Sequence, residues 1–107
     1  MARYNRDEAQ DWARYALRGQ WSTLITPFTD DGQLDEVGLR SNIHHVRSLG
    51  TTGAGCAWGM GEFWSLTREE RFSVYDVVAA EVAGDWLIAA HVTHTSLRDM
   101  LALADHA

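Results

Sequence analysis

The chain has 107 residues, 46% of them hydrophobic and 22% charged, a balance that fits one soluble globular domain and excludes a fibrous or disordered chain. Nine basic residues stand against 15 acidic ones for a formal net charge of -6, so neither nucleic acid phosphates nor anionic lipid meet a complementary surface, and both are excluded as partners. Every basic residue is an arginine, and without lysine no Schiff base to a lysine side chain can form on this chain.

The apolar positions Ala9, Trp12, Ala13, Ala16 and Leu17 have helical spacing and predict a helix over Asn5 to Arg18, opened by an Asn5/Glu8 capping box and stopped by Gly19. Trp21 to Phe28 then reads as a strand containing the sole proline, Pro27. A helix follows over Asp35 to Leu49, with Asp35 as N-cap, a Leu34/Leu39 staple, Leu39, Ile43 and Val46 on one face, and Gly50 as stop. Ala54 to Trp58 reads as the second strand and Gly59 to Leu66 as a loop. The next helix, Arg68 to Ala83, starts from a Thr67/Glu70 capping box, aligns Val74, Val78 and Val82, and ends at Gly84. Trp86 to Val92 is the third strand, and Leu97 to Ala107 the last helix, with Ser96 as N-cap.

The strand starts at Trp21, Ala54 and Trp86 recur at intervals of roughly 30 residues, the length of a strand-helix-strand unit. The strands are short apolar runs without alternation, as expected of parallel strands covered on both faces. Three units are a fraction of the eight in a closed (β/α)8 barrel, and the last helix reaches Ala107 without a Gly, Asn or Pro stop. The expectation is therefore an α/β chain holding the first three βα units of such a barrel, an incomplete one, with residues 1–18 as an N-terminal helical extension and 19–107 as the partial barrel. The inward faces of Leu24, Cys56 and Ile88 or of their strand neighbours are expected to lack the opposite wall.

Cys56 is the only cysteine, which rules out an intrachain disulfide and suits a reducing cytoplasm. Met1 to Gln10 has no apolar core of a signal peptide, and the uncharged stretch Ser48 to Gly61 is too short and too rich in Gly and Thr to span a bilayer.

Four segments in order, Trp21-Ser-Thr-Leu-Ile-Thr-Pro-Phe28, Asp31-Gly-Gln-Leu-Asp35, Gly59-Met-Gly-Glu-Phe-Trp-Ser-Leu-Thr67 with Glu69-Glu-Arg71, and Ile88-Ala-Ala-His-Val-Thr-His-Thr-Ser96, resemble the dihydrodipicolinate synthase / N-acetylneuraminate lyase family. The resemblance implies a lyase of aldolase or dehydratase type that makes or breaks a carbon–carbon bond, or eliminates water, at a 2-oxo acid. It works through a lysine imine, without an organic cofactor, as a homo-oligomer. The family's loop Gly-Thr-Thr-Gly-Glu, which receives the substrate carboxylate, falls on Trp58, Gly59, Met60, Gly61 and Glu62, so both threonines are replaced here. The nucleophilic lysine and catalytic tyrosine belong to later strands. No catalytic residue is expected in this chain, and alone it is expected to be inactive.

The candidate substrate-binding residues are Thr26, Gly59, Met60, Gly61 and His91. A Gly-rich turn at the carboxyl end of a parallel strand presents backbone N–H groups to an anion, here those of Gly59 to Gly61. Thr26 is either a hydroxyl donor to substrate or a loop cap, and Glu62 either supports the anion loop or hydrogen-bonds the neighbouring amides. His91 suits a substrate contact, but His91 and His94 share a metal only if the strand has already turned between them, and no metal site is assigned. His44 and His45 read as helix surface, and Trp58, Phe63 and Trp64 as pocket cover or loop packing. The glycines from Gly53 to Gly61 fail the spacing of a dinucleotide fingerprint. A metal-dependent barrel enzyme using His91 and a small α/β anion-binding module remain as alternatives.

Overall fold

The computed structural model describes residues 4–82, 84 and 86–107. Met1 to Arg3 of the expected extension and Ala83, the expected end of its helix, lie outside them. The elements are α1 (Ala9–Ala16), β1 (Trp21–Thr23), α2 (Glu36–Ser48), β2 (Gly53–Cys56), α3 (Arg68–Glu81), β3 (Leu87–Ala90) and α4 (Leu97–His106), with two short 3-10 turns at Gly59–Gly61 and Phe63–Ser65. The three strands form one parallel sheet in chain order, with Trp21 paired to Gly53 and Gly53 to Leu87.

The helix starts follow from side chains that satisfy orphan N–H groups. Asp35 accepts from the Gly38 amide at 2.9 Å, Thr67 and Glu70 form both halves of a capping box, and Ser96 accepts from the Asp99 amide. Asn5 and Glu8 also bond reciprocally, but around a turn, and α1 begins only at Ala9 with none of its residues buried.

All three strands are shorter than expected. After Leu24, whose N–H still reaches the Gly55 carbonyl, the first strand leaves the sheet: Pro27 has no N–H to donate, and Phe28 bridges back to Leu34. The second ends where Ala57 takes a positive φ of 52°. The third ends at Ala90, although the His91 N–H still donates to the Cys56 carbonyl.

Alternate strand residues point to opposite faces. Leu24, Ala54 and Cys56 are buried in one core with Leu39, Ile43, Val74, Val78 and Leu103 of the helices, and Ile88 and Ala90 pack against it. The structure thus decides between the two sets of strand positions. Leu24, Cys56 and Ile88 face the helix layer, where α3 contacts β2 and β3 and packs between α2 and α4. The other face carries Gly53, Gly55, Leu87 and Ala89 by strand register.

Candidate functional site

The carboxyl end of β2 is a compact double turn. Gly59–Gly61 and Phe63–Ser65 each form one 3-10 turn, joined at Glu62 in the left-handed region at φ 55°. Thr26, only 7% exposed, donates its hydroxyl proton to the Gly61 carbonyl at 2.7 Å, so the tail of the first strand clamps the turn. A Cβ at Gly61 would stand 3.0 Å from the Leu24 carbonyl oxygen, which explains why this position carries no side chain. With that proton committed, Thr26 shapes the site as a clamp.

The turn offers two amides to a ligand where the sequence suggested three. The Gly61 N–H bonds to the Trp58 carbonyl and the Glu62 N–H to the Gly59 carbonyl, each at 3.0 Å. The N–H groups of Gly59 and Met60 have no hydrogen-bond partner among the described residues, and both residues are exposed. Two consecutive free amides at the open end of a turn are a partial positive charge suited to a carboxylate oxygen. The Glu62 carboxylate is exposed and makes no hydrogen bond among the described residues. It therefore does not brace the turn, which Thr26 and the backbone hold.

His91 stands at the same end of the sheet, on the flank of the turn away from Thr26. Its ring packs 4.4 Å from the ring of Phe63, and its Nδ1 is buried with no hydrogen-bond partner. Burial first, and the Arg71 charge second, hold its pKa below the ordinary 6.5, with the Ala57 backbone acting in the opposite direction. His91 is thus a neutral imidazole at pH 7. His94 is used differently, its Nδ1 accepting from the Ser96 amide at 2.9 Å near the start of α4. Among the described residues no group of three or more His, Cys, Asp or Glu side chains is arranged to hold a metal ion. His44 pairs with Glu81 on the helix surface.

Trp58 takes a role that its place in a loop concealed. Its indole folds back across Gly55 on the open sheet face, and its Nε1 donates to the Ala89 carbonyl at 3.1 Å. It therefore bridges β2 to β3 below the turn. Phe63 is half-buried beside His91, whereas Trp64 meets Phe63 edge-on and is 66% exposed.

Two residues of α3 were not singled out from the sequence. Arg71 is 2% exposed and sends its guanidinium to the Thr93 carbonyl at 2.8 Å and to the His91 carbonyl, which also accepts from the Tyr75 hydroxyl at 2.6 Å. Arg71 shares the apolar stripe of Val74 and Val78, and a charge on that buried face was the signal. Cys56 is fully buried and its thiol is pushed up to about 12, so it is an inert core residue.

Residues 16–107 match the model of the dihydrodipicolinate synthetase family. The chain belongs to that family. It is 33% identical over 91 residues to 4-hydroxy-tetrahydrodipicolinate synthase of Methanothermobacter thermautotrophicus, a match covering 85% of this chain and 32% of the relative. N-acetylneuraminate lyase of Rhizobium meliloti is 32% identical over 91 residues, covering 85% and 30%. Among solved structures, YagE of E. coli K12, a prophage protein of the dihydrodipicolinic acid synthase family in complex with pyruvate, superposes with a TM-score of 0.76 at 28% identity, covering 80% of this chain and 29% of that one. The chain thus spans about a third of the length of these relatives, and its sheet and helices are the first three βα units of a (β/α)8 barrel. No helix among the described residues is long and apolar enough to cross a membrane.

Proposed function

We propose that this chain is the N-terminal part of a cytoplasmic, homo-oligomeric lyase of aldolase or dehydratase type. It acts on a 2-oxo acid through a Schiff-base lysine contributed by sequence outside these 107 residues. Residues 1–18 are an extension to the barrel, which starts at Gly19. The observation that carries the proposal is the pair of unpaired amides at Gly59 and Met60, at the carboxyl end of a parallel strand in a chain of this family. A 2-oxo acid brings a carboxylate next to the carbonyl that an amine attacks, and two amides fixed in advance hold that carboxylate at little reorganisation cost. Thr26 and Gly61 keep the turn in shape. His91, neutral at pH 7, offers the substrate a hydrogen-bonding imidazole without competing for the carboxylate's charge. The solved relative with bound pyruvate supports pyruvate as the probe.

The test is a pyruvate titration of this chain followed by amide resonances. Saturable shifts centred on Gly59 and Met60 are expected, together with no borohydride-reduced adduct on an internal residue because the chain has no lysine. Shifts elsewhere with these two amides unmoved would overturn the assignment, and so would a reduced covalent adduct on an internal residue.

A further inference from the structure

We infer that Arg71 is a positioning residue: through the carbonyls of Thr93 and His91, and assisted by Tyr75, it fixes where β3 delivers the His91 imidazole. The inference deepens the proposed role of His91 and rests on it only for the ligand. The geometry stands by itself.

Arg71 is buried at 2% exposure, yet it has no carboxylate partner among the described residues. An unpaired buried cation is costly, and an apolar side chain of similar length would fill the same volume without that cost. The arginine does something that an apolar residue cannot. Its two terminal nitrogens reach two carbonyls with one residue between them, those of His91 and Thr93, in the segment just past the end of β3, where the His91 N–H makes the last bond to β2. A planar fork suits two acceptors with fixed separation, and a lysine ammonium does not. Tyr75, one helical turn on, adds a second donor to the His91 carbonyl at 2.6 Å. One carbonyl thus takes two donors from α3 while the same residue's N–H is held by the Cys56 carbonyl at 3.2 Å. Both sides of the His91 backbone are fixed.

The imidazole depends on that backbone for its place. Its Nδ1 makes no hydrogen bond, and its ring is stopped by Phe63 at 4.4 Å. The Arg71 guanidinium lies 5.7 Å from the centroid of the same Phe63 ring. Phe63 is therefore a shared wall, and loosening the guanidinium releases both the carbonyls and the ring against which His91 rests.

The experiment follows the side-chain resonances of His91 by NMR in this chain as wild type, Arg71→Lys and Tyr75→Phe, each with and without pyruvate. The lysine variant keeps the charge and loses the fork. The phenylalanine variant loses one hydroxyl only, which keeps the test available if the lysine variant folds poorly. Both are expected to reduce the ring-current shift that Phe63 imposes on His91, the lysine variant more strongly, while methyl resonances of Leu39 and Val78 stay in place. A His91 signal unchanged in both variants would overturn the inference. So would equal movement of the Leu39 and Val78 signals, which a general loosening of the core produces. If the variants move His91 but pyruvate never perturbs it in the wild type, Arg71 remains the positioning residue and His91 is removed from the proposed substrate contacts.

Discussion

Gly55 and Trp58 are predicted to be energetically coupled. A Cβ at Gly55 would lie 2.8 Å from Cζ2 of Trp58 and closer still to Cε2 and Cδ2, so Gly55→Ala must expel the indole from its seat. Forced overpacking costs about 1–3 kcal/mol. The displaced indole also loses its bond to the Ala89 carbonyl, worth about 0.5–1.5 kcal/mol. The substitution should therefore destabilise by about 2–4 kcal/mol, a large share of a small domain's stability. In a Trp58→Ala background the clash is gone, and because Gly55 has no positive φ, Ala there should be neutral or stabilise by up to about 1 kcal/mol. The coupling measured by the double-mutant cycle should accordingly reach about 2 kcal/mol or more. Urea denaturation followed by circular dichroism measures it, at one protein concentration because association shifts apparent stability. Additivity within about 0.5 kcal/mol would refute the reasoning, since it would mean that the indole does not lie over Gly55.

The Cys56 thiol, raised from 9.0 to about 12 by burial, makes stability depend on alkaline pH. The unfolded chain ionises first, so stability is intact below pH 9 and falls as pH rises toward 12, by up to about 4 kcal/mol; Cys56→Ala should flatten the alkaline limb of a stability–pH profile, and an unchanged limb would refute this. Thr26→Val should cost about 1–3 kcal/mol by stranding the Gly61 carbonyl, and should speed hydrogen exchange at the Gly61 amide relative to the α3 amides. Among the described residues the outer edges of β1 and β3 pair with no further strand, and beside β3 lies a cavity of about 400 Å3 lined by Tyr75, Trp86, Ile88 and Ala90. Sedimentation at rising concentration should reveal association through these edges, and a monomer over the whole range would count against it.

Much of the fold was legible because its signals are local. Thr67 and Glu70, Asp35 and Ser96 cap helices within three residues of themselves, so composition and spacing identify them without tertiary knowledge. The strand ends were not, because an apolar run does not say where the backbone leaves the ladder. Pro27 carried part of that information for β1, since it interrupts N–H donation before the run ends at Phe28. Facing stayed open for the same reason. Runs such as Leu-Ile-Ala-Ala lack alternation, so Leu24, Cys56 and Ile88 could be assigned to either side. Gly53 and Gly55 held the answer: side chains are absent from one face of β2, and Trp21 and Trp58 lie against that face.

The site divides along the same line. Its turn is local, and the sequence indicated glycines at the end of a strand. Which amides stay free depends on bonds inside the turn, and the 3-10 geometry takes Gly61 out of the set. The clamps are non-local: Thr26 and Gly61 are 35 residues apart, and Arg71 and His91 are 20 apart. Spacing along the chain cannot anticipate such pairs, but burial can, because a charged or hydroxylated side chain on an apolar face must find polar partners there. Arg71 on the stripe of Val74 and Val78 meets that condition, and its partners are the carbonyls freed where β3 ends. The helix that covers the sheet therefore also fixes the geometry of the strand's last residues, which couples the packing of α3 to the shape of the site.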